Sequence, residues 1–159
     1  MTPRNILLGA IAIVATIGVG LAAYHRSAED SNSFPALDAN DERLVSAGKA
    51  LYAENCAACH GKNLEGQLAW KQRKEDGRLP APPHNKSGHT WHHSDRVIFE
   101  LTKFGPAALV GNGYESDMPG FEGILDDQGI VAVLSFIKST WPQDIQRRQH
   151  EITRSDKGG

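Results

Sequence analysis

Two cysteines and a histidine stand together as Cys56-Ala57-Ala58-Cys59-His60. At this spacing each thiol can add across one vinyl group of a haem, and the histidine directly after the second thiol falls under the iron as an axial ligand. Other uses of the thiols fit less well. A redox dithiol is expected beside a strand-helix-strand pattern, and a zinc site needs further ligands at matching spacing. The chain holds only these 2 cysteines, so a four-cysteine site is impossible, and a disulfide between them would close almost no loop.

A sixth iron ligand must come from elsewhere in the chain. The sequence has 2 methionines, Met1 and Met118, and only Met118 lies downstream of the thiols, in Asp117-Met118-Pro119-Gly120-Phe121. Pro119 restricts Met118 to extended conformations and stiffens the backbone beside it. The alternative is a methionine that fills a core gap. A second cluster, His84, His89, His92 and His93, is dense enough to bind copper or zinc, or to supply a different sixth ligand. Its structural reading is that His92 and His93 precede a helix and that Trp91 packs along the haem edge. Lys71, Arg73, Lys74 and Arg78 form a basic run diluted by Glu75 and Asp76, which reads as a solvated face.

The elements that must position these residues are helices. Leu44, Ala47, Gly48 and Leu51 recur at three- and four-residue steps, predicting a helix from Asp41 to Glu54 capped by Asn40 or Asp41. Gly48 inside it predicts a close approach by another backbone, since glycine costs up to about 1 kcal/mol relative to alanine in a helix. Leu79-Pro80-Ala81-Pro82-Pro83 is an extended wall. A carbonyl near Pro82 or Pro83 is the expected acceptor for the second ring nitrogen of His60. Ser94 or His93 starts a helix over Asp95 to Phe104, ended by Gly105-Pro106, and 107–123 reads as a loop. The last helix begins near Asp126, shows Ile130, Val133, Leu134, Ile137 and Trp141 on one face, and stops at Trp141-Pro142. It is expected to pack on the first helix with Phe136 or Leu134 near Gly48. Residues 143–159 read as a polar, fraying tail.

Ile6 to Ala23 is an unbroken apolar run preceded by Arg4. A secretory signal has an apolar stretch of about 7–15 residues and a spanning helix about 17–25, so residues 1–26 read as an uncleaved anchor, with a cleaved signal as the alternative. Either would export the haem-bearing part of the chain. Residues 27–40 are small and polar and read as a flexible linker, with Phe34 and Pro35 the expected contacts if part of it packs down. A net charge of -2 excludes a typical nucleic-acid binder, which carries a basic excess on one face.

The order of these features resembles a class I cytochrome c of the membrane-anchored monohaem type found in bacterial envelopes. The resemblance runs from Cys-x-x-Cys-His after an N-terminal helix, through Met-Pro-Gly-Phe roughly sixty residues later, to a C-terminal amphipathic helix, and covers 41–142. It implies an all-α class I cytochrome c fold, three to four helices around one covalent haem c behind an N-terminal transmembrane helix. Within it Cys56 and Cys59 attach the haem, His60 is the proximal ligand and Met118 the distal one. The function implied is electron transfer in a respiratory chain, by a carrier or a subunit of an oxidoreductase complex and not by an enzyme in its own right. The haem domain would sit on the periplasmic side of the cytoplasmic membrane. Its partners would be redox proteins such as a quinol-oxidising complex and a terminal oxidase or reductase, with no nucleic acid and no small-molecule substrate. Two other classes stay open: a haem enzyme or ligand sensor in which Met118 detaches, and a copper-handling module built on His84, His89, His92 and His93.

Overall fold

A computed structural model describes residues 36–156. The apolar run at Ile6 to Ala23, the contacts expected of Phe34 and Pro35, and most of the 27–40 linker lie outside these residues. Among the described residues no helix is long and apolar enough to cross a membrane.

Helix α1 spans Glu42–Asn55, and the Asp41 carboxylate caps it by accepting from the amides of Arg43 and Leu44 at 2.9 and 3.2 Å. A short α2, Ala57–His60, comes directly after it. A long irregular stretch containing the proline wall leads to a single 3₁₀ turn at Thr90–His92. Helix α3, Asp95–Phe104, has the predicted limits and is capped by Ser94, whose hydroxyl accepts from the Val97 amide at 3.3 Å. Helix α5, Asp127–Ser139, starts at the predicted cap, Asp126, which accepts from Gly129 at 2.7 Å.

The core is the crossing of α1 with α5, the most extensive helix pair. Gly48 permits it: a Cβ there would lie 1.9 Å from the Ala132 carbonyl oxygen and 3.0 Å from the Phe136 Cβ. No side chain fits in such a gap, so the helices meet backbone to backbone. Phe136 is thus one of the two expected neighbours, and Ala132 is the one that sets the spacing. Ile130, Val133, Leu134, Ile137 and Trp141 are all buried, as the stripe required.

Three expectations give way. The 107–123 segment is not loop throughout, because Pro106–Val110 forms a short helix, α4, with proline at its first turn. Proline lacks only an N–H that a first turn leaves unbonded, so it opens a helix as readily as it ends one. The frayed tail is also corrected: Gln143–Ser155 is a helix, α6, directly after Pro142. It is held by polar groups. Gln149, fully buried, donates to the Asp95 carboxylate at 2.7 Å, the His93 carbonyl at 3.1 Å and the Thr153 hydroxyl at 3.1 Å. The same Asp95 oxygen accepts from Lys138 at 2.5 Å. The linker, finally, is docked before its expected end, since the Asp38 amide donates to the Ser135 hydroxyl at 3.0 Å. The long helices among the described residues therefore number four, α1, α3, α5 and α6, and none of the described residues forms a strand.

Candidate haem site

His60 stands at the end of α2, where the 56–60 backbone continues the turn begun by α1: the Cys56 amide donates to the Tyr52 carbonyl and the His60 amide to the Cys56 carbonyl, both at 2.9 Å. Its Nδ1 lies 2.8 Å from the Pro82 carbonyl oxygen. This is the partner expected from the proline wall. A carbonyl can only accept, so Nδ1 carries the proton and Nε2 is left with its lone pair for a metal. Burial, opposed by that hydrogen bond, keeps the imidazole below its ordinary pKa and so in the neutral, ligating form.

The wall itself is fixed by glycine. Gly66, at φ +69°, would bring a Cβ within 2.5 Å of the Pro83 nitrogen and 2.7 Å of the Pro82 carbonyl carbon. Gln67 clips on from the other side, donating its amide to the Ala81 carbonyl at 2.8 Å while its side-chain oxygen accepts from the Ala81 amide at 2.9 Å. Tyr52, buried, donates its hydroxyl to the Gly61 carbonyl at 2.9 Å.

Both thiols are free, Cys59 exposed and Cys56 half-buried. Burial, then the neighbouring Cys59, pushes the Cys56 thiol up to about 11. A redox dithiol needs the opposite shift, toward the thiolate. Two unpaired thiols followed by a histidine whose Nδ1 is already bonded, leaving Nε2 as the metal-binding nitrogen, suit covalent haem. A buried Arg78 Nε without an acceptor leaves a donor that an acidic substituent of such a ring can use.

Met118 lies on the other long connection, half-buried, its amide donating to the Ser116 hydroxyl at 3.1 Å. Behind it the chain is bonded to the end of α3: the Phe121 amide donates to the Thr102 carbonyl at 3.0 Å and Glu122 to Lys103 at 2.9 Å. Before it, Asp117 accepts from Arg78 at 2.7 Å and pairs with Lys74. These bonds hold Lys74 and Arg78 above, and Asp117 below, their ordinary pKa values. The basic run is therefore not simply a solvated face. The sequence signal for the contact was an acidic residue beside the only downstream methionine.

The histidine cluster is drawn into ring contacts, with His89 meeting His93 edge to face at 5.4 Å. His84 stacks on His60 with ring centroids 3.9 Å apart, His89 on Trp70 at 5.5 Å, and His92 on Trp91 at 3.7 Å. His84 also bonds the Thr90 hydroxyl through Nδ1 at 2.9 Å, and burial keeps it well below its ordinary pKa. Among the described residues no three of His, Cys, Asp and Glu are grouped to hold a metal. Trp91 is covered by the Arg148 guanidinium of α6, 5.1 Å from its ring centroid.

An all-helical domain built on Cys-x-x-Cys-His is the class that fold and site define. Family comparison agrees, with the cytochrome c family matching residues 45–141, and the chain belongs to that family. Covalent haem c is the cofactor that membership implies. Among curated relatives, the cbb3-type cytochrome c oxidase subunit CcoP of Azospirillum brasilense is 27% identical over 132 residues, 77% of this chain and 40% of that protein. CcoP of Azospirillum sp. (strain B510) is 32% identical over 99 residues, 62% of this chain and 29% of that protein. FixP of Bradyrhizobium sp. (strain ORS 278), also a cbb3-type oxidase subunit, is 31% identical over 96 residues, covering 60% of this chain and 27% of the relative. The chain thus spans less than half the length of these relatives. No solved structure matches significantly.

Proposed function

We propose that this chain is a membrane-tethered electron carrier with one haem c, attached through Cys56 and Cys59 and ligated by His60 and Met118. The observation that carries the reading is the His60–Pro82 hydrogen bond at 2.8 Å, which commits Nδ1 and leaves Nε2 as the ligating nitrogen of a motif whose two thiols are free. When bound, the haem supplies a one-electron couple. The chain's own residues set its poise. A thioether from Met118 is a soft neutral ligand that favours ferrous iron, while the Pro82 carbonyl polarises His60 and makes it a stronger donor. With His60 and Met118 both holding the iron, no coordination position would be left for a substrate, so the domain is read as a carrier and not an enzyme.

The apolar run Ile6 to Ala23 supports a single-pass anchor in the cytoplasmic membrane, with the haem domain on the periplasmic side. Similarity to cbb3-type oxidase subunits supports a terminal oxidase as the electron acceptor, or a complex in which this chain is a subunit. A quinol-oxidising complex is the proposed donor. A tether raises the local concentration near such partners to about millimolar, so binding need not be tight. The engagement of His84, His89 and His92 in ring stacks, with no three such side chains grouped among the described residues, disfavours the copper-handling reading.

The test is the weak red-edge band of thioether-to-iron charge transfer in the oxidised, haem-loaded protein. It is expected in wild type and absent in Met118→Ala, whose reduction potential falls. A wild-type protein without the band has a histidine or water on the iron, and the sensor or enzyme reading then replaces this one.

A further inference from the structure

We infer that Lys74, Arg78 and Asp117 form a surface clasp that keeps the Met118 loop closed, and that loosening it opens the sixth position of the iron to external ligands. The inference rests on Met118 being that sixth ligand.

The loop is fastened unequally on its two sides. After Met118, backbone bonds tie Phe121 and Glu122 to the carbonyls of Thr102 and Lys103, and a Cβ on Gly120 would lie 2.7 Å from the Phe104 oxygen. That side cannot move without disturbing α3. Before Met118, among the described residues, the hydrogen bonds reaching 112–117 from outside 107–118 all end on the Asp117 carboxylate. Arg78 adds a longer ion pair to Glu115 at 4.0 Å. Upstream, Gly111, Asn112 and Gly113 all have positive φ, at 65°, 50° and 77°, and the two glycines have nothing within 4 Å of a Cβ position. The sequence of parts is a pivot, an exposed arm, a carboxylate held by two cations, and then the methionine.

The clasp lies at the surface, with side chains of Lys74, Arg78 and Asp117 40%, 38% and 46% exposed. Exposed ion pairs are weak and screened by salt. Weakness suits a latch, because a small change in pairing shifts the open fraction of a loop several-fold while leaving the fold intact. Closed, the loop presents Met118; open, it exposes the iron.

The experiment uses the oxidised haem-loaded protein and measures capture of added imidazole, together with amide hydrogen exchange at 112–117. Asp117→Asn is expected to raise both by about threefold to tenfold, and Lys74→Gln to raise both by a smaller factor. The double variant of Lys74→Gln with Asp117→Asn should gain nothing beyond Asp117→Asn, since both act on one contact. Added salt should speed capture in wild type and not in Asp117→Asn, while α5 amides exchange equally slowly in all. Capture and exchange at wild-type rates in Asp117→Asn overturn the clasp. If the wild-type spectrum lacks the red-edge band, Met118 ligation falls and this inference with it. A band that is present alongside unchanged capture removes the clasp alone.

Discussion

Two aspartates in this domain each hold two donors from distant parts of the chain, and they do so under opposite conditions. Asp95 accepts from Lys138, 43 residues on, and from Gln149, 54 residues on, with its side chain 12% exposed and that of Lys138 11%. Asp117 accepts from Arg78 and Lys74, 39 and 43 residues back, at 46% exposure. The buried site joins α3, α5 and α6 into one body, and breaking it would leave a charge without water. The exposed site fastens only the arm before Met118, and water or salt can replace either partner. One carboxylate is a structural fastening beneath the C-terminal helix, and the other a reversible one beside Met118, the proposed iron ligand. Chemically alike pairs thus serve stability or control according to the solvent around them.

The largest expected effect comes from breaking the buried site. Lys138→Met leaves Asp95 charged and nearly enclosed, with Gln149 its remaining side-chain donor. Removing one partner of such a pair is expected to cost about 3 kcal/mol in denaturant unfolding of the haem-loaded protein. The red-edge band and the rate of imidazole capture should not change, and added salt should not reproduce the loss. If Lys138→Met instead opens the iron while leaving stability alone, the division of labour between the two aspartates is wrong.

A smaller effect on the same side sharpens the contrast. Gln149→Leu removes Nε2, whose two hydrogens are shared among three acceptors, but also removes Oε1, which is buried with no donor to satisfy it. The second term offsets part of the first, so the expected cost is about 1–2 kcal/mol. Hydrogen exchange should speed first in α6, where Thr153 and Asp95 lose a shared neighbour. A cost near zero would mean that the apolar leucine recovers by packing all that the amide contributed.

How much of this was readable in the sequence differs by the type of signal. Gly48 announced the helix crossing because only close backbone contact rewards a mid-helix glycine, and the proline wall announced a carbonyl for His60 because a ligating histidine needs an acceptor. Both are local. Helix α6 was not readable by apolar periodicity, since Gln149, the residue it buries most deeply, is polar and finds Asp95 only in three dimensions. Pro142 and Pro106 were read as stops, yet each stands at the start of the next helix. The histidines carried two readings, metal binding and a structural role before a helix, and the structure follows the second: His92 and His93 precede α3, and His84, His89 and His92 each stack on a different aromatic ring. Lys74 and Arg78 reach Asp117 across about forty residues, which no local pattern encodes.

The smallest predicted effect concerns a third carboxylate, Asp156, which shares the design but stands at the exposed end of α6. It accepts from Arg96 at 3.0 Å and from the Ser94 hydroxyl, the same hydroxyl that caps α3. The Ser94 bond, then the Arg96 bond, lowers its pKa below the ordinary 3.8. A carboxyl whose folded pKa is depressed binds fewer protons folded than unfolded, so its contribution is fully present above 3.8 and fades as pH falls through the depressed value. The stability difference between wild type and Asp156→Asn should therefore be constant from neutral pH down to about 5 and shrink below about 4. Salt should reduce the same difference at neutral pH, as it should for Asp117 and should not for Asp95. A difference that persists unchanged into acid would show that the Asp156 side chain acts through packing or cap geometry. Exposure would then no longer separate the two kinds of carboxylate.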